Sequence, residues 1–350
     1  MSTFHKLTIK EVIKETADAV SIVFDVPSEL QKDYNFIAGQ YITIKKEIEN
    51  KVLRRAYSIC SSPKSNELKV AIKAITNGIF SNYATSKLKV GDLIEVSSPE
   101  GKFILQPSKN KNYIAFAAGS GITPILSMIK AVLENEPSST FTLIYGNKTV
   151  ESTIFYSELN ALNHQYPTQF NLHYVFSQEA TTHNKFGRID QGHINHFIKN
   201  TYKKLHFHSA FLCGPEEMIQ VVSNTLQENG FNKEAIHFEL FTSSSTTEHK
   251  NDMTISDGKS EITVLLDDEK TTFTMDASDD ILAASLRNKL DAPYSCQGGV
   301  CSSCIAKVTE GKAVMSKNAI LTEAELEEGF ILTCQAHPTT SKITVDFDDV

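Results

Sequence analysis

Cys296, Cys301, Cys304 and the distant Cys334 are spaced C-x4-C-x2-C…C. Thiolates at these intervals form the ligand pattern of a plant-type [2Fe-2S] centre, in which four of them hold two irons. Gly298 and Gly299 lie inside the loop. Without Cβ atoms they can take positive φ and aim backbone N–H groups at an anionic, sulfide-rich cluster. Structural zinc usually takes paired C-x2-C knuckles, and the chain offers one such pair. A disulfide framework is disfavoured by the long chain, its 6 cysteines and the N-terminus Met1-Ser2-Thr3-Phe4-His5-Lys6, which lacks the apolar core of a signal peptide.

Three other stretches could do chemistry. In Arg54-Arg55-Ala56-Tyr57-Ser58-Ile59-Cys60, strand alternation puts Arg55 and Tyr57 on one face, a phosphate-pairing fork beside a flat stacking surface. Gly119-Ser120-Gly121-Ile122-Thr123-Pro124 follows an apolar strand, so its glycines allow a dinucleotide close to the backbone. Thr123 is expected as the N-cap and Pro124 as the first helical residue. The third glycine of G-x-G-x-x-G is missing. Cys213-Gly214-Pro215 repeats the strand-to-turn arrangement, and alone Cys213 reads as a small buried hydrophobe. His206 and His208 have no third metal ligand spaced nearby and read as surface or partly buried histidines.

The elements that must position these residues fall into blocks. Residues 1–106 show period-two runs, Ala19-Phe24, Tyr41-Ile44 and Leu68-Lys73, broken at Gly39, Pro63, Gly78 and Gly91. They predict half-buried strands in a small antiparallel β-barrel. Residues 107–241 alternate buried strands (Tyr113-Ala118, Phe141-Tyr145, Leu172-Phe176, Ala210-Cys213) with helices, the signature of a doubly wound α/β parallel sheet. The helix Pro124 to Leu133 is expected to bury Ile125, Met128, Ile129 and Val132. Residues 242–260, rich in Ser, Thr, Asp and Asn, read as a linker, and 261–350 hold the cysteines.

At 350 residues the chain can bury several cores, and its net charge of −8 excludes a generally basic nucleic-acid binder. Residues 261–350 carry 7 Lys+Arg against 16 Asp+Glu, a net of −9, which leaves +1 for the remainder. An acidic face there could steer docking onto a basic partner, or could simply be a solvated surface. No apolar run reaches membrane-spanning length, so a cytoplasmic protein away from membranes is expected, where cluster thiols stay reduced.

The chain resembles the ferredoxin–NADP reductase superfamily. R-x-Y-S matches Arg55, Tyr57 and Ser58; Gly78-Ile79-Phe80-Ser81-Asn82, G-x-G-I-T-P at Gly119, Cys213-Gly214-Pro215 and an E-x-F ending at Glu239-Leu240-Phe241 match further motifs. The resemblance implies bound FAD. Arg55 would pair with its pyrophosphate, Tyr57 stack on the isoalloxazine and Ser58 bond near N5, while Gly78 and Ser81 begin a helix that caps phosphate. Gly119, Gly121, Thr123, Pro124, Gly214 and Pro215 would hold the nicotinamide dinucleotide, and Phe241 would cover the flavin until nicotinamide displaces it. Ser58, Cys213 and Glu239 are the catalytic candidates. After the strand Phe141-Tyr145 there is no acidic residue placed to hold a ribose 2′-hydroxyl, and Lys148 could pair with a 2′-phosphate. NADPH is therefore expected, with NADH the alternative.

The resemblance also implies a β-grasp ferredoxin domain around Cys296, Cys301, Cys304 and Cys334. With its C-terminal ferredoxin the chain is most similar to reductase subunits of ring-1,2-phenylacetyl-CoA epoxidases. These imply delivery of electrons to a separate di-iron oxygenase in phenylacetate breakdown. The alternatives are a reductase for another Rieske or di-iron hydroxylase and, in a different class, a redox sensor that works without turnover.

Overall fold

The computed structural model describes residues 4–180, 182, 184–241 and 258–350. They separate into two compact units, one ending at Phe241 and the other made of the residues beyond it. The expected linker lies outside the described residues, apart from its last residues from Gly258 on.

The first unit opens with a 6-stranded antiparallel sheet in the order Lys51–Ser58, Tyr41–Ile48, Leu93–Ser97, Phe4–Thr16, Ala19–Asp25, Leu68–Lys73. Its two edges meet through the Ile59↔Val70 bridge and the bond from Cys60 N to Lys69 O at 2.8 Å, so the sheet closes as expected. Leu7, Ile9, Ile22, Phe24, Ile42, Ile44, Val70 and Ile72 fill it.

Ala19-Phe24 and Tyr41-Ile44 depart from the reading as half-buried strands, because every residue in both runs is buried. Val20, Ile22 and Phe24 face the barrel core, whereas Ala19, Ala71 and Cys60 join a second core shared with the next sheet. A strand covered by a neighbouring domain has no solvent face.

That next sheet has 6 parallel strands in the order Lys185–Phe186, Phe170–Phe176, Thr140–Asn147, Asn112–Ala118, Ser209–Gly214, Ile236–Leu240. Chain order reverses between Asn112–Ala118 and Ser209–Gly214, and a crevice at such a switch point is where open α/β sheets bind ligands. Gly119-Gly121 and Gly214 lie at that reversal. A Cβ on Gly121 would lie 2.1 Å from the Cys213 carbonyl oxygen, so only glycine lets the two strand ends close up.

The helix after this turn runs Ile122–Asn135 with Gly121 as N-cap, and buries Ile125, Met128, Ile129 and Val132 as expected. Its start differs from the expectation. Thr123 is not the N-cap; it lies in the first turn and its Oγ1 donates to Ser120 O at 3.1 Å. Pro124 is the third helical residue, where its missing N–H is still one that the helix would leave unpaired.

The second unit is a 5-stranded sheet in the order Glu269–Asp276, Lys259–Leu266, Lys342–Asp346, Ile305–Glu310, Phe330–Leu332. Lys259–Leu266 and Lys342–Asp346 run parallel, whereas the other neighbours are antiparallel. The helix Ile281–Arg287 is capped by Asp280, whose carboxylate accepts from Ala283 N at 2.7 Å.

Replacing Gly121 with alanine must push backbone rather than a flexible side chain, an overpacking that costs about 2–3 kcal/mol. We expect G121A to melt earlier than the wild type when unfolding is followed by release of flavin fluorescence.

Candidate functional site

Lys51–Ser58 delivers Arg55, Tyr57 and Ser58 to the end of the barrel facing the parallel sheet. The Arg55 guanidinium donates to Arg54 O at 2.7 Å through Nη1, using one tip of its fork. The Tyr57 ring is half-buried, with its centroid 5.7 Å from that of Phe80 on the helix Ile79–Ser86, so the two matching segments meet. Burial, eased by Arg55, pushes the Tyr57 hydroxyl well above its usual range.

Ser81, expected to help cap phosphate, also serves its own loop. Its Oγ accepts from Ile75 N at 3.2 Å and donates to Gly78 O at 3.4 Å, so it ties the loop that precedes its own helix. Gly78 makes room for this, because a Cβ there would lie 2.4 Å from Ser81 Oγ.

On the facing sheet, Gly119 has φ +55° with open space where a side chain would stand, and its carbonyl is fixed by Tyr145 Oη at 2.8 Å. Gly121, Thr123 and Pro124 are buried beneath it. Gly214 and Pro215 turn into the helix Glu216–Glu228. Acidic Glu216 and Glu217 occupy its first turn, which leaves the Gly119–Thr123 turn as the better anion site.

Ser58, Cys213 and Glu239 come together. Ser58 Oγ donates to Glu239 Oε2 at 3.3 Å, and Cys213 is the register partner of Glu239 across the two adjoining strands. Burial pushes the Glu239 carboxyl up to about 8, opposed by the Ser58 bond, so it holds a proton near neutral pH. The Cys213 thiol is pushed up by burial and by Glu239. Phe241, two residues beyond, is half-buried against the same core. Lys148 is exposed just past Thr140–Asn147. Sequence reasoning missed Glu179, whose carboxylate accepts from Val150 N at 2.8 Å in that same turn. It lies 29 residues away along the chain, beyond the reach of a local motif.

The four loop cysteines converge in two pairs. Cys296 is held below the usual thiol range, first by the Cys301 thiol donating to it and then, against the pull of burial, by the N–H groups of Gly298, Val300 and Cys301. Cys334 is lowered in the same way, first by Cys304. Gly298 N lies 3.3 Å from Cys296 Sγ, and the left-handed residues of the loop are Gln297, φ +53°, and Gly299, φ +70°. The expected positive φ thus falls on Gly299 and on a glutamine. Thr333 fixes both ends, its N and Oγ1 each donating to Cys304 O at 3.0 Å.

This arrangement fits a binuclear cluster. Two thiol pairs, Cys296 with Cys301 and Cys304 with Cys334, suit one iron each. Ser295, beside Cys296, is 1% exposed and its Oγ has no protein partner, an orphan donor that a sulfide could satisfy. His206 and His208 lie side by side, 5.0 Å between ring centroids, but His208 Nδ1 already accepts from Asn112 N at 3.1 Å.

Known protein families match three spans of the chain. Residues 6–104 match the oxidoreductase FAD-binding domain family, 116–224 the oxidoreductase NAD-binding domain family and 264–339 the 2Fe-2S iron-sulfur cluster binding domain family. The chain is 42% identical over 352 residues to one of the subunits of the 1,2-phenylacetyl-CoA epoxidase of Escherichia coli, covering 99% of each. It is 32% identical to the ferredoxin reductase component of the 3-ketosteroid-9-alpha-monooxygenase of Rhodococcus rhodochrous, over 97% of this chain and 96% of that one. The solved structure of phthalate dioxygenase reductase, described as modular for electron transfer from pyridine nucleotides to [2Fe-2S], superposes with a TM-score of 0.63 at 25% identity over 98% of both chains. No helix of the described residues is long and apolar enough to cross a membrane.

Two outcomes follow. Glu239 has a folded pKa above its unfolded value, so the stability it contributes is complete below about 4.5 and is lost as pH rises through about 8. Thermal melts of E239Q should lose this component of the alkaline fall seen in the wild type. Serine at Cys296, Cys301, Cys304 or Cys334 should abolish acid-labile sulfide and iron in the purified protein, whereas C60S should retain both.

Proposed function

We propose, from the premise that this chain belongs to the family of reductases that join FAD-binding, NAD-binding and 2Fe-2S cluster-binding domains, that it passes electrons from NADPH to a separate di-iron oxygenase acting on phenylacetyl-CoA. The chain is an NAD(P)H-dependent oxidoreductase with FAD and a [2Fe-2S] cluster as cofactors. Bound FAD supplies the exchange between the two-electron chemistry of nicotinamide and the one-electron chemistry of the cluster.

The chain's own residues bind, orient and hold protons. Arg55 and the amides that open the helix Ile79–Ser86 would take the flavin pyrophosphate, and Tyr57 and Phe241 would supply the ring surfaces about the flavin. The Gly119–Thr123 turn would receive the nicotinamide pyrophosphate, with Gly214 and Pro215 as the opposite rim. Glu239 carries a proton near neutral pH and accepts a hydrogen bond from the Ser58 hydroxyl, a pair that would bond a polar edge of the flavin. Cys213, uncharged, gives a small apolar wall beside them. Cys296 with Cys301 and Cys304 with Cys334 would each hold one iron.

The observation that carries the choice of acceptor is the identity along the whole chain to the phenylacetyl-CoA epoxidase component, higher than to the ketosteroid monooxygenase component. We place the protein in the reducing cytoplasm. Exposed Lys148 supports NADPH through its reach toward a 2′-phosphate. Glu179 in the same turn supports a second reading, NADH, because a carboxylate repels that phosphate.

The test mixes the loaded protein with candidate oxygenase subunits, phenylacetyl-CoA and either nucleotide. Coupled epoxide formation with higher kcat/KM for NADPH is expected. Better kcat/KM with NADH would reverse the coenzyme assignment, and steady nucleotide oxidation that couples only to another oxygenase would reassign the partner.

A further inference from the structure

We infer that a polar stripe on the helix Ile122–Asn135 positions the nicotinamide turn against the flavin strand, with Ser127, Lys130 and Glu134 acting as positioning residues for flavin reduction. The inference deepens, and rests on, the reductase reading above. Spaced three and four apart, these residues share one helix face, and all three grip the segment that follows Arg55, Tyr57 and Ser58. Ser127 Oγ donates to Ser61 O at 2.8 Å. Lys130 Nζ donates to Cys60 O at 3.2 Å and pairs with Glu158 at 2.6 Å. Glu134 accepts from the Ser62 hydroxyl, and its backbone carbonyl takes Lys64 Nζ at 3.2 Å.

A second layer completes the charges. Lys69, whose carbonyl holds Cys60 N, lies 3.9 Å from Glu15 and 4.0 Å from Glu158, and Glu15 is fixed by Ser21 Oγ at 2.6 Å. The side chains of Lys69, Glu15 and Lys130 are only 12–13% exposed, so these pairs are weakly screened and depend on one another. Lys69 Nζ also sits 5.4 Å over the Phe155 ring. Phe155 has φ +61°, a conformation disfavoured for an aromatic residue, at the start of the helix Tyr156–Gln165. The network thus ties both the Gly119–Gly121 turn and the turn after Thr140–Asn147 to the barrel.

What the stripe joins explains what it does. One end is the exit of the flavin strand; the other is the helix whose first residues form the nucleotide turn. Both are rigid elements, so a shift between them carries through to the ring-to-ring approach, where displacement by about 1 Å can cost about 100-fold in rate.

Anaerobic stopped-flow reduction of the flavin in the full-length holoenzyme tests this with K130M, S127A and K130R. For K130M we expect the limiting rate at saturating NADPH or NADH to fall about 10- to 100-fold, with nucleotide Kd little changed. The long-wavelength charge-transfer absorption between nicotinamide and flavin should weaken. Cluster reduction after photoreduction of the flavin should keep its wild-type rate, and K130R should restore reduction. S127A, which deletes one bond to Ser61 O, supplies the same readouts at smaller amplitude if K130M fails to fold. Wild-type rates and a full charge-transfer band in the variants, even with a lower melting temperature, would reduce the stripe to a stabilising contact and overturn the inference. A wild-type holoenzyme whose flavin neither nucleotide reduces would remove the reductase reading, and the inference with it.

Discussion

There is no room for a methyl group where Asn112–Ala118 and Ser209–Gly214 end side by side, because a Cβ on Gly121 would meet the Cys213 carbonyl at 2.1 Å. The site depends on that closeness. It makes the Gly119–Thr123 turn and the Cys213-Gly214-Pro215 turn two rims of one crevice. It also brings in Glu239, the register partner of Cys213, where Ser58 arrives from the barrel. A wider gap would leave the nucleotide turn and the flavin strand on separate surfaces, each with an ordinary set of residues.

Glu239 is the destabilising member of this crevice. A carboxyl placed where burial raises its pKa to about 8 stays neutral at the expense of folding stability above its normal range, and its Ser58 bond offsets that only in part. A leucine would fill the same volume without that penalty. A half-buried carboxyl with a raised pKa, beside a hydroxyl and a thiol near the switch point of an α/β sheet, is the kind of group that clusters at functional sites.

Much of this could be read from the chain. The four cysteines, the R-x-Y-S strand and the G-x-G-I-T-P turn are local patterns, and each is found near its partners. The misreadings have local causes too. Ala19-Phe24 reads as half-buried from its alternation, yet Ala19 faces a second core contributed by residues far along the chain and Ser21 is buried against Glu15. Thr123 looked like an N-cap because Pro124 follows it, but the turn tightens over Gly119–Gly121 and starts the helix two residues earlier than expected. Ser81 has a local bond that its motif does not show, because the loop from Ile75 to Gly78 uses its hydroxyl. Glu179 and the Lys69–Glu158 pair depend on contacts between distant segments, which no spacing rule carries. The short helix Glu323–Glu327 did have a signal, the capping box of Thr322 and Glu325, and was overlooked.

The ferredoxin unit meets an opposite electrostatic problem. Residues 261–350 already carry −9, and thiolates around a cluster add more negative charge. The loop answers with backbone dipoles. The N–H groups of Gly298, Val300 and Cys301 point at Cys296, and that of Gly299 at Cys334. Gln297 and Gly299 take left-handed backbone in this same stretch. Backbone dipoles stabilise thiolates at short range and carry no net charge, so they leave the charge of the unit unchanged.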